Sequence, residues 1–204
     1  MKTVLKIQSS LFGAGGRSTQ LADRFIEGLR SLYGAVRVVT RDLAADPVPP
    51  LTLERFQAFC TPSAERSAAQ QALVRDSDML IEELMAADIV VLAVPMYNFT
   101  VPAALHNYFD QVARAGVTFR YTEHGAEGLV KGKQVFVFVT RGGYHGDAHS
   151  QTAFLRQFLA FIGLEDAKFL YAEGLAISDE AREQSLGAAN AALANLLPPA
   201  MAAA

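Results

Sequence analysis

Residues 88–99 read Asp-Ile-Val-Val-Leu-Ala-Val-Pro-Met-Tyr-Asn-Phe, an apolar run that ends at Pro95 and passes into a loop with two aromatic residues. An amphipathic helical pattern begins just after it, near Pro102. An unbroken apolar run is typical of a strand buried on both faces of a parallel sheet. The loop after such a strand lies at the edge where open α/β sheets bind ligands. The stretch therefore indicates both a fold class and the position of a binding site.

Four other β-rich apolar runs, at residues 4–7, 36–39, 134–139 and 167–171, are separated by segments whose apolar residues recur at helical spacing. This alternation is typical of βα repeats, which build parallel sheets through right-handed crossovers. We therefore predict one α/β domain over residues 1–204. Its doubly wound parallel sheet would have five strands in the order 2-1-3-4-5, with helices on both faces.

The composition excludes several classes of protein. Of the 204 residues, 51% are hydrophobic and 19% charged, as in an ordinary globular protein. A net charge of −3 leaves no broad cationic surface, so we predict that the chain does not bind nucleic acid. Cys60 is the only cysteine, which rules out an internal disulfide and fits a reducing cytoplasm. Lys6 and Gln8 interrupt the first apolar run, and no later run has membrane-spanning length, so we expect a cytoplasmic protein without a membrane segment.

Residues 9–19, here called the Ser/Gly loop, read Ser-Ser-Leu-Phe-Gly-Ala-Gly-Gly-Arg-Ser-Thr and lead into a helical pattern. Glycines let amides converge on one oxyanion, and the hydroxyls of Ser10 and Ser18 add donors beside a helix N-terminus. The Gly-Lys-Ser/Thr of a Walker A motif is missing, and Ser18 stands where a dinucleotide fingerprint has its third glycine. A site for the single phosphate of a mononucleotide is the better interpretation, although a flexible surface turn explains this loop alone equally well.

The fourth predicted strand ends in Thr-Arg-Gly-Gly-Tyr-His at residues 140–145, here called the glycine loop. Adjacent glycines let bare backbone approach a planar ring closely. In a sheet of order 2-1-3-4-5, the carboxyl ends of strands one, three and four lie side by side. The Ser/Gly loop, the glycine loop and residues 95–99, here called the aromatic loop, are therefore predicted to surround one flavin mononucleotide (FMN).

Other chemistries have weaker support in the sequence. His145, Asp147 and His149 are close together, but no fourth ligand is evident, so we predict no metal site. No Gly-x-Ser-x-Gly motif and no Ser/His/Asp triad is legible. Two connections, 46–64 with four prolines and 115–133 with four glycines, are long enough to indicate functional or interfacial loops.

With these motifs, the sequence resembles the FMN-dependent NADH-azoreductase family of bacterial flavin quinone reductases over nearly its whole length. Residues 107–122 carry most of the resemblance and read Asn-Tyr-Phe-Asp-Gln-Val-Ala-Arg-Ala-Gly-Val-Thr-Phe-Arg-Tyr-Thr. Shorter matching motifs follow the strands, at residues 9–10, 41–44, 95–99, 128–133 and 141–143. The resemblance implies a flavodoxin-like homodimer with one tightly bound FMN per subunit at the dimer interface.

The resemblance also implies which residues contact FMN. Four of them would bind the phosphate: Ser10, Gly16, Arg17 and Ser18. Four would contact the flavin ring: Met96, Tyr97, Asn98 and Phe99. Four would lie at the opposite ring edge: Thr140, Arg141, Gly142 and Gly143. The chain departs from the family pattern at Arg17, where a polar amide is common, at Thr140, where serine is usual, and at Ala126, where proline is usual.

From this resemblance we expect two electrons to pass from NADH or NADPH through the flavin to quinones and aromatic azo compounds, in a ping-pong order. Phe119 and Tyr121 match a loop that approaches the partner subunit's flavin. A stacking slot for flat acceptors would be walled by Phe99, Tyr121, His145 and Phe161. Within it, His145 is a candidate hydrogen-bond donor to the substrate, although no residue is assigned a certain catalytic role.

Three alternatives remain at this point. The first is a flavodoxin-type electron carrier that does not itself oxidise NAD(P)H, although the modest net charge argues against it. The second is a phosphoester hydrolase that uses the same anion site, although no nucleophile, metal cluster or acid–base pair is apparent. The third is a scaffold that has kept the fold without the cofactor.

Overall fold

The computed structural model describes residues 1–197. Seven strands are present: β1 (Lys2–Gln8), β2 (Val36–Asp42), β3 (Ile89–Pro95), β4 (Phe119–Thr122), β5 (Gly125–Gly128), β6 (Gln134–Thr140) and β7 (Lys168–Ala172). Six α-helices accompany them: α1 (Arg17–Tyr33), α2 (Leu53–Cys60), α3 (Ala68–Ala86), α4 (Ala103–Val112), α5 (Ser150–Ile162) and α6 (Asp179–Leu196). The sequence predicts that Pro198-Pro199 ends the last helix, and that pair lies outside the described residues, as does the end of the predicted domain at residue 204.

Five parallel strands form the main sheet in the order β2-β1-β3-β6-β7. These are the five strands that the apolar runs indicate, and their spatial order confirms the predicted 2-1-3-4-5. The strand β3 lies in the centre, and all seven of its residues are buried.

Neighbouring residues of β3 belong to two different hydrophobic clusters. Ile89, Val91 and Ala93 pack with apolar residues of α1 and α6. Val90, Leu92 and Val94 pack with apolar residues of α3, α4 and α5. Since successive strand residues point to opposite faces, the two sets of β3 residues point to opposite sides of the sheet.

The two long connections contain regular structure that the sequence analysis did not identify. The proline-rich connection includes α2, whose N-cap Thr52 accepts a hydrogen bond from Arg55 N at 3.3 Å. The glycine-containing connection forms the antiparallel hairpin β4–β5, separate from the main sheet. A side chain at Gly128 would place its Cβ 2.0 Å from Gly163 N, so glycine lets the hairpin lie directly against the end of α5.

Within the part of the chain that is described, no helix combines the length and the apolar character needed to cross a bilayer.

Candidate functional site

The three predicted loops meet at one rim of the sheet because β1, β3 and β6 are neighbours and run in the same direction. Met96 N donates to Thr140 O at 2.8 Å, which joins the aromatic loop to the start of the glycine loop. Tyr97 Oη accepts a hydrogen bond from Leu11 N at 3.1 Å, which joins the aromatic loop to the Ser/Gly loop. The structure therefore brings together the loops that the sequence analysis assigned to one ligand.

The Ser/Gly loop leaves hydrogen-bond donors without partners at the start of α1. Gly16 is the N-cap and has no side chain to accept from the first amides of the helix, which by geometry have no intrahelical acceptor. The hydroxyls of Ser18 and Thr19 are fully buried and have no hydrogen-bond partner among residues 1–197. Buried donors of this kind are costly unless a ligand or water satisfies them. The arrangement suits a phosphate group.

Ser10 and Gly16 pack tightly in this loop. Ser10 is buried, and its Oγ accepts a hydrogen bond from Phe12 N at 3.2 Å. A Cβ at Gly16 would lie 2.3 Å from Ser10 Oγ and 2.5 Å from Ser10 Cβ, so only glycine allows this close approach. The side chain of Arg17 is exposed and donates to Gln20 Oε1 at 3.1 Å, which directs it along the helix surface.

The aromatic loop contains a strained two-residue turn that the sequence analysis did not predict. Asn98 and Phe99 have φ angles of 48° and 64°, and they are the only residues other than glycine with positive φ in the described chain. Tyr97 and Thr100 exchange both backbone hydrogen bonds at 3.1 Å, as in a type I′ hairpin turn. Asparagine tolerates this conformation, but phenylalanine adopts it at a cost of roughly 1–3 kcal/mol, and such strain clusters at binding sites.

A cavity of about 550 Å³ lies between the Ser/Gly loop and the aromatic loop. Its lining includes Ser9, Leu11, Met96, Tyr97 and Asn98. The volume falls within the range of typical small-molecule sites.

The backbone carbonyls of the glycine loop are hydrogen-bonded to the segment after β7, whereas two of its amides are not hydrogen-bonded to any described residue. The carbonyls of Arg141, Gly142 and Gly143 accept hydrogen bonds from the amides of Leu175, Ala176 and Gly174, at 3.1, 3.0 and 3.0 Å. No acceptor in residues 1–197 contacts the amides of Gly142 and Gly143. These two amides are therefore available to a ligand.

The side chain of Arg141 is directed into the protein and has no exposed surface. Its guanidinium pairs with Glu173 at 2.7 Å, so a contact from this residue to a ligand would come from its backbone. Desolvation works to raise the pKa of Glu173, but hydrogen bonds from Arg141, Gly146 and His145 outweigh it and keep the pKa below its usual value.

The predicted substrate residues fall into two groups. Phe99 is 67% exposed, and its ring centroid lies 6.0 Å from that of His145. The second group is on the hairpin and α5, where Phe119 lies 5.5 Å from Tyr121 and 4.3 Å from Phe161. No aromatic contact joins the two groups within residues 1–197, so the structure does not bring all of these residues to one site in a single chain.

Sequence reasoning assigned no role to two residues beside the glycine loop, His149 and Gln151. His149 Nδ1 accepts from Gln151 N at 3.1 Å and so caps α5. Desolvation lowers the pKa of His149, and the positive charge of Arg141 lowers it further, so the neutral form required for this cap is favoured. Gln151 is the second residue of α5. The helical pattern after residue 149 could have indicated that these two positions lie at the start of a helix.

No group of three His, Cys, Asp or Glu side chains among the described residues has the arrangement of a metal site.

Comparison with known proteins shows the family to which the chain belongs. Residues 2–197 match the Flavodoxin_2 family, described as a flavodoxin-like fold. FMN-dependent NADH:quinone oxidoreductase 6 of Burkholderia lata is 47% identical over 196 residues, covering 95% of this chain and 99% of that protein. An FMN-dependent NADH:quinone oxidoreductase of Escherichia coli O157:H7 is 45% identical over 199 residues, covering 97% and 99%.

Solved structures show the same fold. An azoreductase from Bacillus anthracis str. Sterne superposes with a TM-score of 0.87 at 24% identity, covering 96% of this chain and 98% of that one. An FMN-dependent NADH-azoreductase from Bacillus anthracis str. Ames Ancestor, solved in complex with FMN, superposes with a TM-score of 0.82 at 24% identity, covering 97% and 100%. At 24% identity these structures show only that the fold is shared, whereas the full-length relatives show the family. The chain belongs to the flavodoxin-like family of FMN-dependent NADH:quinone oxidoreductases.

Proposed function

We propose that this protein is an FMN-dependent oxidoreductase that transfers two electrons from NADH or NADPH to quinones and aromatic azo compounds. The close relatives named as FMN-dependent NADH:quinone oxidoreductases support this activity. A ping-pong order follows if one site receives the nicotinamide and the acceptor in turn.

The observation that carries the proposal is the set of donors without acceptors at one rim. The α1 N-terminus with Ser18 would hold the FMN phosphate. The amides of Gly142 and Gly143 would hold one ring edge, and the turn at Asn98-Phe99 the other. When bound, FMN supplies the two-electron redox chemistry, while the protein positions it and tunes its electronics through such hydrogen bonds. His145, close to Phe99, would donate a hydrogen bond to the acceptor.

We also propose a homodimer with its active sites at the interface. Tyr121 is 75% exposed and lines, with Phe119 and Phe56, a largely apolar cavity of about 560 Å³. These side chains are separate from the Phe99 group in their own chain, and a second copy could bring them over the partner's site. Sedimentation of the purified protein at twice the chain mass is expected, and a monomer that retains full activity would contradict this arrangement.

The remaining proposals concern the whole chain. We infer a single domain over residues 1–204, because the family match spans residues 2–197. The two core clusters support helices on both faces of the sheet. The lone Cys60 supports a cytoplasmic location.

An anaerobic half-reaction tests the activity. FMN-loaded protein mixed with NADH, or separately with NADPH, is expected to lose its yellow colour, and a quinone is expected to restore it. Free FMN at the same concentration is the control. A protein that binds FMN but bleaches only when a separate reductase is added would be a flavodoxin-type carrier instead.

His145→Ala is expected to slow turnover of both acceptor classes, quinones and azo compounds, and unchanged turnover would remove its proposed role.

A further inference from the structure

The first turn of α5 carries a buried glutamine that contacts two loops of the site. Gln151 is 1% exposed. Its Nε2 donates to Pro95 O and to Thr100 O, each at 3.3 Å. Its Oε1 accepts from Arg141 Nε at 3.0 Å. The amide therefore uses both of its N–H groups and its carbonyl in a place that water does not reach.

The two carbonyls that accept from Gln151 lie at the beginning of the aromatic loop and directly after its end. Pro95 is the last residue of β3, and Thr100 closes the turn that contains Asn98 and Phe99. Because this turn is strained at Phe99, contacts that hold the aromatic loop help to keep it in one conformation. Gln151 supplies one such contact at Pro95, where the loop leaves β3, and one at Thr100, where the turn closes.

On its other side, Gln151 reaches the glycine loop through Arg141. The Arg141 guanidinium also donates to Gly146 O at 2.6 Å and to Thr152 Oγ1 at 2.7 Å. Glu173, its ion-pair partner, accepts from the amides of His145 and Gly146 at 3.2 and 3.1 Å. One continuous network thus runs from the aromatic turn through Gln151 to the far end of the glycine loop.

We propose that Gln151 is a positioning residue that fixes the aromatic loop and the glycine loop relative to each other and thereby sets the affinity and environment of the bound flavin. This inference rests on the proposed function, since the two loops are the ones assigned to the flavin ring. The physical reason is preorganisation: loops already held in the binding geometry lose less conformational entropy when the ligand arrives. No direct contact between Gln151 and the flavin is required.

Two substitutions distinguish the contacts of Gln151 to the aromatic loop from its contact to Arg141. Gln151→Glu keeps an oxygen acceptor for Arg141 but loses both donors to the aromatic loop. Gln151→Leu is similar in size and breaks both halves. Gln184→Glu is the matched control, because Gln184 is exposed on α6 and lies outside the site. FMN is titrated into each full-length apoprotein, and the visible circular dichroism of the bound flavin and the thermal unfolding of each protein are recorded.

We expect Gln151→Glu to bind FMN about thirtyfold more weakly than wild type, the size expected for the loss of two neutral hydrogen bonds of ordinary strength. The circular dichroism of the flavin that still binds should change, which a purely structural loss of stability would not cause. Gln151→Leu should be weaker again, and Gln184→Glu should match wild type. Folded Gln151→Glu with wild-type affinity and an unchanged flavin spectrum would overturn the inference while leaving the proposed function intact. Wild-type protein that takes up no FMN would overturn both.

A measurement on the wild-type chain covers the case in which the variants do not fold. Coupling between two sites is reciprocal, so if the Gln151 contacts favour FMN binding, FMN must favour those contacts. The side-chain amide protons of Gln151 should therefore exchange with solvent more slowly after FMN is added, whereas those of Gln184 should not change. Equal exchange of the Gln151 protons with and without FMN would overturn the inference.

Discussion

The helices α1 and α3 begin in opposite ways. At α3, Ser67 Oγ accepts from Gln70 N at 3.2 Å while Gln70 Oε1 accepts from Ser67 N at 3.0 Å, a complete capping box. At α1, the N-cap is Gly16, and the buried hydroxyl of Ser18 has no partner in the described chain. At α3, side chains of the protein accept the capping hydrogen bonds. At α1, the first amides have no side-chain acceptor among residues 1–197 and lie at the rim of the sheet.

The difference shows how stability and ligand binding are divided in this protein. A capping box stabilises a helix without any ligand. An uncapped helix start with buried donors lowers the stability of the empty protein. An anion that supplies the missing acceptors therefore binds there with a favourable free energy. Substitutions at the two helix starts should therefore have opposite signatures, one in stability and one in FMN affinity.

The largest effect is expected for Gly16→Ala, which places a methyl group against Ser10 at a separation that real Cβ atoms do not show. Overpacking of this kind costs about 1–3 kcal/mol, so FMN affinity should fall by roughly five- to 150-fold. Gly15→Ala is the matched control, because its Cβ would meet nothing closer than Phe12 Cβ at 4.0 Å. Equal FMN dissociation constants for the two variants, measured by titration, would contradict this description of the loop.

The comparison itself is tested by Ser18→Ala and Ser67→Ala. Removing the unpartnered Ser18 hydroxyl should weaken FMN binding by about tenfold, with little loss of stability in the empty protein. Removing the Ser67 cap should lower the free energy of unfolding by about 1 kcal/mol and leave FMN affinity unchanged. Urea denaturation and FMN titration of both variants give the four values needed. The comparison would fail if the two variants behaved alike.

A smaller effect is expected for Tyr97→Phe. The substitution removes the hydroxyl that accepts from Leu11 N, and with it a contact between the aromatic loop and the Ser/Gly loop. Because that bond is exposed to water, we expect FMN affinity to fall only about two- to fivefold. Titration of the variant beside wild type measures the change, and a loss as large as that of Ser18→Ala would show that Tyr97 has a more direct role.

The smallest effect concerns α5, whose cap is present only while His149 is neutral. The pKa of His149 is lowered in the folded protein, so the unfolded chain takes up the proton first as the pH falls. This contribution to stability is complete above the unfolded pKa of about 6.5, declines as the pH falls below it and levels off below the folded pKa. At most about 1 kcal/mol is at stake.

His149→Ser keeps a capping oxygen and removes the titration. Denaturation at several pH values between 5 and 8, spanning the ordinary histidine pKa of about 6.5, should therefore show a shallower pH dependence for this variant than for wild type. Identical profiles would mean that His149 does not titrate as described.

Much of the fold could be predicted because it depends on local patterns. The apolar run of β3 and the β-rich runs around it fix the five strands, and the order follows from the rules for parallel sheets. The β4–β5 hairpin could not be predicted in the same way, because its short strands lack a clear alternating pattern and it is held by a glycine contact with the end of α5.

The candidate site was predictable as a set of loops and less so as a set of side chains. Loop residues could be assigned because they follow strands that end at one rim. The sequence did not show that Phe99 takes a positive φ, or that the Arg141 side chain turns inward to Glu173, since both depend on long-range contacts. Gln151 was missed because its partners lie 10 to 56 residues away in the chain.

The central claim is that the three loops at this rim enclose one FMN, with its phosphate on the open start of α1. The most direct measurement is a titration of FMN into apoprotein, for wild type and Ser18→Ala under the same conditions. We predict saturation at one FMN per chain and a right-shifted curve for Ser18→Ala. A wild-type protein that stays colourless in excess FMN, or a Ser18→Ala curve that overlays the wild-type curve, would contradict the claim.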